Sequence, residues 1–498
     1  MNHLLILPIL LPLFSGCLLL AAFGERLQRG VSLLATLALL PVSVALLQQA
    51  AGGQIQFYAL GNWQPPFGII LVLDRLSALM LLANGLLAAF ALIYAVRGDD
   101  RRGRHFHALF QFQLAGLNGA FLTGDLFNLF VFFEILLIAS YGLLLHGGGA
   151  GRVRAGVHYV VLNLVGSAFF LIAVGVLYGV TGTLNMVDMA RHVAALGAEQ
   201  APLVRAAALL LLVVFGLKAA LLPLYFWLPR SYAEASAPVA ALFAIMTKVG
   251  IYSILRVYTL IFGAEAGELA NLASAWLWPL ALLGIAVGSL GALAATTLQG
   301  LLAYLVVVSA GTLLAALAMG SQVALSAALY YLLHSTWVAG GLFLLADLLA
   351  RQRGEKGGQL VQGPALLQPH VLGGLFFFGA IAVVGLPPLS GFMGKLLLLR
   401  AASTPGQTLA LWSVLLVSGL VTIVALSRAG STLFWRTGRS MLDSAERDVV
   451  RLLATVGLLL TALLLILFAR PMLDYAQATA TQLLDVELYR QAILGGGA

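Results

Sequence analysis

Charged side chains are scarce in this sequence: Asp, Glu, Lys and Arg make up 9% of its 498 residues, where a soluble domain carries about 25%. With 61% hydrophobic residues and a mean hydropathy of +1.01, that scarcity excludes a soluble globular protein. Cysteine is scarcer still. The single Cys17 permits neither an internal disulfide nor a four-cysteine cluster, which argues against iron–sulfur chemistry within the chain and leaves no cofactor to expect. Alternating apolar residues are missing too. The apolar runs are long and continuous, so a transmembrane β-barrel is excluded. No Lys or Arg precedes Phe14-Ser15-Gly16-Cys17, so its likeness to a lipoprotein cleavage site is set aside and the run reads as a retained helix.

What is present is helix-forming apolar sequence. A bilayer core about 30 Å thick is crossed by about 20 apolar residues. Such runs fall near 4–23, 31–50, 70–96, 106–123, 125–145, 157–180, 203–222, 238–262, 273–297, 301–319, 323–349, 371–400, 408–434 and 450–470. The expected fold is therefore an all-α polytopic membrane protein of about fourteen transmembrane helices. Lys and Arg near span ends favour the cytoplasm. Alternating the loops puts seventeen on one side, from Arg26 and Arg29 through Arg353 and Arg439 to Arg451. Seven fall on the other: Arg75, Arg191, Arg205, Arg256, Arg400, Arg470 and Arg490. This asymmetry places both termini outside the cytoplasm of the cell (inner) membrane. It also explains the net charge of +8 without a nucleic-acid partner.

Three lysines remain inside the spans, Lys218, Lys248 and Lys395, together with Glu134. Each charge at a helix centre costs about 2.5–3.5 kcal/mol on the insertion scale, so unpaired they would cost on the order of 10 kcal/mol. Lys218 and Lys395 are near enough to span ends to snorkel; Lys248 and Glu134 are not, and a static buried pair is their structural reading. The functional reading is proton handling. Burial disfavours the charged form of either group and an opposite charge favours it, so a pair whose spacing changes can alternately hold and release a proton. Arginine, permanently charged, could not do this. His334, the one histidine near mid-span, reads either as a neutral packing residue or as a proton relay between the central and C-terminal lysines.

Pro223 and Pro229 follow Lys218, and Pro387 and Pro388 precede Lys395, so helices seven and twelve are expected to be broken at membrane depth. The breaks are five spans apart, and an odd repeat inverts the second copy. Spans 1–3 (residues 1–105) would precede two inverted five-helix repeats, 106–262 and 273–434, with a last span and short tail at 435–498.

Thr123-Gly124-Asp125-Leu126-Phe127-Asn128-Leu129-Phe130-Val131-Phe132-Phe133-Glu134 resembles the fifth-span signature of the D subunits of Mrp-type multisubunit Na⁺/H⁺ antiporters. The stretch from Lys218 through Pro223-Leu224-Tyr225-Phe226-Trp227-Leu228-Pro229 to Thr247-Lys248-Val249-Gly250 resembles the same family. The wider group includes antiporter-like subunits of respiratory complex I and membrane-bound hydrogenases. The resemblance implies a proton-conducting row in which Glu134, Lys218, Lys248, His334 and Lys395 take the family's positions. It implies exchange of Na⁺ or K⁺ for H⁺ driven by the proton-motive force, and partners among the other membrane subunits of the complex. A proton-pumping subunit of a redox enzyme is the alternative function, and a scaffold protein the third. The stretch Ser231-Tyr232-Ala233-Glu234-Ala235-Ser236 departs from the wider family, and Glu234 reads as a solvated loop carboxylate. No complete Na⁺ site is visible among Glu134, Asp125 and Asp347, because a hard cation prefers several oxygen ligands.

Overall fold

The structure, a computed structural model, describes residues 2–21, 24–438 and 447–495. The expected end of the first run at residue 23, Arg439 and the boundary at 498 lie outside them. In chain order the elements are α1 (Leu7–Leu19), α2 (Glu25–Ala51), β1 (Gln56–Ala59), β2 (Ile70–Leu73), α3 (Arg75–Ala95), α4 (Phe106–Leu122), α5 (Leu126–Leu145), α6 (Ala150–Thr181) and α7 (Met186–Ala194). There follow α8 (Ala201–Ala219), α9 (Trp227–Glu234), α10 (Ala237–Phe243), α11 (Met246–Leu260), α12 (Ser274–Ala294), α13 (Leu298–Met319), α14 (Gln322–Gln352) and α15 (Pro369–Val384). The last are α16 (Ser390–Arg400), α17 (Pro405–Gly430), α18 (Val449–Leu467), α19 (Ala469–Leu484) and α20 (Val486–Ile493).

Every expected apolar run holds a helix or a helix in two pieces. Among the described residues eleven helices are long and apolar enough to cross a membrane; α1, α4 and α15, with 13, 17 and 16 residues, are shorter. Three boundaries differ from expectation. Residues 70–73 are not helical: β2 pairs antiparallel with β1, Gln56 opposite Leu73, and Asp74 then caps α3. Both α2 and α6 begin before their apolar runs and carry Arg26, Arg29, Arg152 and Arg154 into the first turns. The segment after Arg470 is a folded pair of helices, α19 and α20, packed back on the bundle.

In lipid, helix association gains little from hydrophobicity and depends on close packing and polar contacts. The helices α3, α10–α11, α13 and α14 are accordingly buried on nearly all sides, while α2, α6, α12 and α17 expose long faces of Leu, Val and Phe. One polar contact shows its origin clearly. Pro12, inside α1, has no N–H for the Pro8 carbonyl, and Asn118 of α4 supplies the missing donor at 2.7 Å while accepting from Asn84 of α3 at 2.8 Å.

Charges gather at the two ends of the bundle. At one end Asp99 accepts from Arg351 (2.8 Å), Arg102 (3.0 Å) and Arg451 (3.1 Å), and Asp100 binds Arg29 (2.5 Å) with His107 Nε2 at 3.2 Å. At the other end Asp74 binds Arg256 (2.5 Å) and the Tyr489 hydroxyl of α20, and Arg256 also donates to Tyr489 (3.0 Å). Three arginines at these ends are buried: Arg256, Arg353 and Arg451 are 4%, 2% and 7% exposed. Carboxylates compensate Arg256 and Arg451. Arg353 instead donates to the carbonyls of Gly357, Gln359 and Val361, which fold a loop around it.

Burial by itself would raise the Asp100 carboxyl, but hydrogen bonds from His107 and Arg29 hold it well below the usual carboxylate range. A depressed carboxyl stabilises the fold above its unfolded value, about 3.9, and the contribution is lost as pH falls toward the folded value. Asp100→Asn is therefore expected to lower the apparent melting temperature in detergent at neutral pH, with the gap to the parent closing only below about pH 4. Arg256→Ala would leave Asp74 buried without its cation at a cost of about 3–5 kcal/mol, read as a large drop in melting temperature. Arg490→Ala, whose partners Glu487 and Glu265 are exposed, should stay within about 1 kcal/mol of the parent.

Candidate functional site

Three helices stop inside the bundle. The first, α8, ends where Ala220 takes left-handed backbone (φ 58), and Pro223 lies in the irregular stretch that follows. The freed carbonyls are satisfied: Leu221 N–H donates to Gly216 O at 2.8 Å and Trp227 Nε1 donates to Leu217 O at 3.0 Å. Pro229 is not part of the break. It sits in the first turn of α9, where a missing N–H costs no helical hydrogen bond. The second expected break is found between α15 and α16, with Gly385 left-handed (φ 84) and Pro387 and Pro388 in the gap. A third break, at Ala244 and Ile245 between α10 and α11, was not expected. No proline or glycine marks it; the Phe243 carbonyl accepts from the Tyr232 hydroxyl at 2.5 Å.

Each lysine lies beside one of these breaks. Lys218, in the last turn of α8 and 5% exposed, donates to Asn163 Oδ1 of α6 at 2.7 Å and lies 5.9 Å from the Phe133 ring centroid. Lys248, the third residue of α11 and fully buried, donates to Ser309 Oγ of α13 at 3.1 Å. Lys395, half-buried on α16, donates to the last carbonyls of α15, Val383 at 3.2 Å and Val384 at 2.6 Å. Glu134, half-buried on α5, accepts from the Ser167 hydroxyl of α6. His334 is 1% exposed, with Nδ1 2.7 Å from Ser390 Oγ at the start of α16.

The five residues fall into two adjoining sets. Glu134 and Lys218 share α6, and no ion pair within 4 Å joins them among the described residues. Near the other three, a largely apolar cavity of about 20 Å³ is lined by His334 and Ser335, by Ser309, the partner of Lys248, and by Val383, whose carbonyl accepts from Lys395, room for one water molecule. The sets meet where α11 crosses α8. A Cβ on Gly250 would collide with the backbone of Lys218 and Ala219, so glycine alone permits that approach.

The neutral partners Asn163, Ser167, Ser309, Ser390 and Tyr232 were not anticipated. The signal available for the first two was their four-residue spacing on an otherwise apolar span. Other carboxylates have structural places. Asp125 caps α5 by accepting from Asn128 N–H at 2.7 Å, and Asp347 accepts from Arg351 (2.5 Å) and Tyr94 (2.6 Å). Glu234 is exposed as expected, but it ends α9 rather than lying in a loop, beside a cavity of about 410 Å³ that Arg102 and Arg152 also line.

Fold and site together define a class: a polytopic helical membrane protein that keeps ionisable side chains beside broken helices. Residues 123–424 match the family described as NADH:quinone oxidoreductase/Mrp antiporter, TM. The chain is 42% identical, over 99% of its length and 98% of the relative's, to a protein of Rhizobium meliloti (strain 1021) named as the D subunit of a probable K(+)/H(+) antiporter. It is 38% identical, over 99% and 100%, to the D subunit of an Na(+)/H(+) antiporter from Alkalihalophilus pseudofirmus. A chain of the Mrp complex from Dietzia sp. DQ12-45-1b superposes with a TM-score of 0.89 at 28% identity, covering 99% of this chain and all of that one. The protein belongs to the NADH:quinone oxidoreductase/Mrp antiporter family, and the resemblance to antiporter D subunits drawn from the motifs holds over its whole length.

Alanine usually stabilises a helix interior relative to glycine by about 1 kcal/mol. At position 250 the sign should reverse, because the added methyl must push α11 off α8. Gly250→Ala is expected to lower the melting temperature of the purified protein; a rise would refute the close packing.

Proposed function

We propose that this chain is the D-type subunit of a multisubunit monovalent cation/proton antiporter and conducts protons along Glu134, Lys218, Lys248, His334 and Lys395. The observation that carries the reading is that the buried members each have a neutral polar partner beside a broken helix: Asn163 at Lys218, Ser309 at Lys248 and Ser390 at His334, with a one-water cavity lined by both Ser309 and His334. Irregular backbone at membrane depth is tolerated where it is buried or lines a polar path. The interior members are buried while Glu134 and Lys395, the two ends, are half-buried. That pattern suits a row continued by neighbouring subunits at both sides.

In this reading the chain crosses the cell membrane fourteen times with both termini outside the cytoplasm. Residues 106–262 and 273–434 are the inverted repeats, and the proton-motive force drives exchange. The chain is a transporter subunit without chemistry of its own. The relatives' names divide between Na⁺ and K⁺, so the exchanged ion is assigned as a monovalent cation. Identities of 42% and 38% to antiporter subunits favour this over a redox-driven pump.

The test is cation-dependent proton flux in vesicles carrying the whole complex. Glu134→Ala, Lys218→Ala and Lys248→Ala are each expected to lower exchange by about a hundred-fold or more, the scale of a lost proton-transfer group. Undiminished exchange in all three, at normal assembly, would sink the reading.

A further inference from the structure

Between α15 and α17 runs an apolar groove of about 760 Å³. Its mouth lies at Pro369 and His370, where α15 begins, and at Trp435, in the turn Ser431–Trp435 that continues α17. Its deep end reaches Val384 and Leu386, at the break between α15 and α16. At 1.5 Å per residue the groove is about 22 Å long. The two helices touch where Phe376 packs on Phe434, with ring centroids 5.6 Å apart. Beside that contact small residues leave space, and a Cβ on Gly374 would meet no atom within 4 Å. The polar side chains lining the groove, His370, Ser427, Ser431 and the Trp435 indole, all lie toward the mouth. Farther in the walls are apolar, and Phe377 and Leu386 are 67% and 40% exposed.

We propose that this groove holds one acyl chain of an anionic phospholipid, with the end of the chain against the α15–α16 break and the headgroup at Trp435 and Arg436. Shape selects a chain over a partner's helix. A helix with its side chains is about 10 Å wide, so a stretch about 22 Å long would fill about 1,700 Å³, more than twice the groove. Water is the poorer occupant too, since apolar cavities stay dry. Charge selects the headgroup. Trp435 is 80% exposed, as suits an indole at the membrane–water interface. Arg436 follows it and His370 lines the same mouth, both exposed. In the orientation proposed above this end faces the cytoplasm, where the leaflet's anionic lipids are drawn to basic groups. At the deep end the chain packs on Val384, whose carbonyl accepts from Lys395 at 2.6 Å. Hydrocarbon keeps water from that side of the contact, and a hydrogen bond is stronger in low dielectric. The site does not depend on the proton-row reading.

The experiment reconstitutes the whole complex with a trace of phosphatidylglycerol carrying a diazirine at the end of one acyl chain, and maps the photo-crosslinks by mass spectrometry. Label is expected to concentrate at residues 384–386 over Leu416 and Leu420, which are 58% and 62% exposed on α17 and do not line the groove. Gly374→Trp, which fills the open space, should bring groove labelling down to the level at those two leucines. Gly374→Leu serves the same purpose should the larger side chain impair assembly. A phosphatidylcholine probe with the same tail should label the groove about five-fold less, and Arg436→Ala should erase the difference. Equal labelling of the groove and the two leucines is the mark of ordinary boundary lipid and would overturn the site, as would groove labelling unchanged in both variants at position 374. Equal labelling by the two probes in the parent would overturn the anionic headgroup. A photo-crosslinking residue at position 374 that captures another subunit instead of lipid would give the groove to a partner helix and overturn the proposal. Ion flux enters none of these readings, so the site and the proton row stand or fall separately.

Discussion

A helix that stops inside a bilayer uncovers carbonyl groups where no water can reach them, and most of this structure's polar detail follows from finding donors for those carbonyls. Backbone N–H and an indole serve α8, a tyrosine hydroxyl serves α10, and at α15 the donor is the ammonium of Lys395 itself. In that third case the cap is an ionisable side chain, so the charge and the helix end are held by the same contact.

The three lysines are also placed differently in the field of the backbone. Aligned peptide dipoles favour a cation at a helix C-terminus and oppose one at an N-terminus. Lys218 occupies the last turn of α8, and Lys395 reaches the C-terminal carbonyls of α15. Lys248, by contrast, is the third residue of α11 and is fully buried. The central lysine thus lies in the least hospitable site for a fixed charge, between two that backbone carbonyls support.

What the amino-acid order reveals of this molecule depends on whether the cause is local. Spans follow from hydropathy, and the gaps around Pro223 and Pro387 follow from a missing backbone donor; both are properties of short stretches. The break at Ala244 and Ile245 has a tertiary cause, a hydroxyl contributed by the neighbouring helix, and nothing in residues 237–250 announces it. Pro229 misleads for the complementary reason, since a proline harms a helix only beyond its first turn. The charged members of the site stand out because a charge in an apolar run is costly. Their neutral partners do not, because Ser and Asn are unexceptional in membrane helices; Ser309, for instance, also satisfies itself on the Val306 carbonyl. Burial of Arg256 and Arg451 is invisible in the sequence because the carboxylates that permit it, Asp74 and Asp99, are remote along the chain.

The Asp74–Arg256–Tyr489 cluster carries a consequence for how the molecule is made. Asp74 caps the third long helix, Arg256 belongs to the middle of the chain, and Tyr489 lies in the last helix. A ribosome delivers these residues in that order, and the first two are long inside the bundle before the third exists. Until α20 leaves the ribosome, the buried carboxylate lacks one of its partners. Closure of this end is therefore tied to the docking of α20, so a protein cut before Val486 would carry its spans but not its seal.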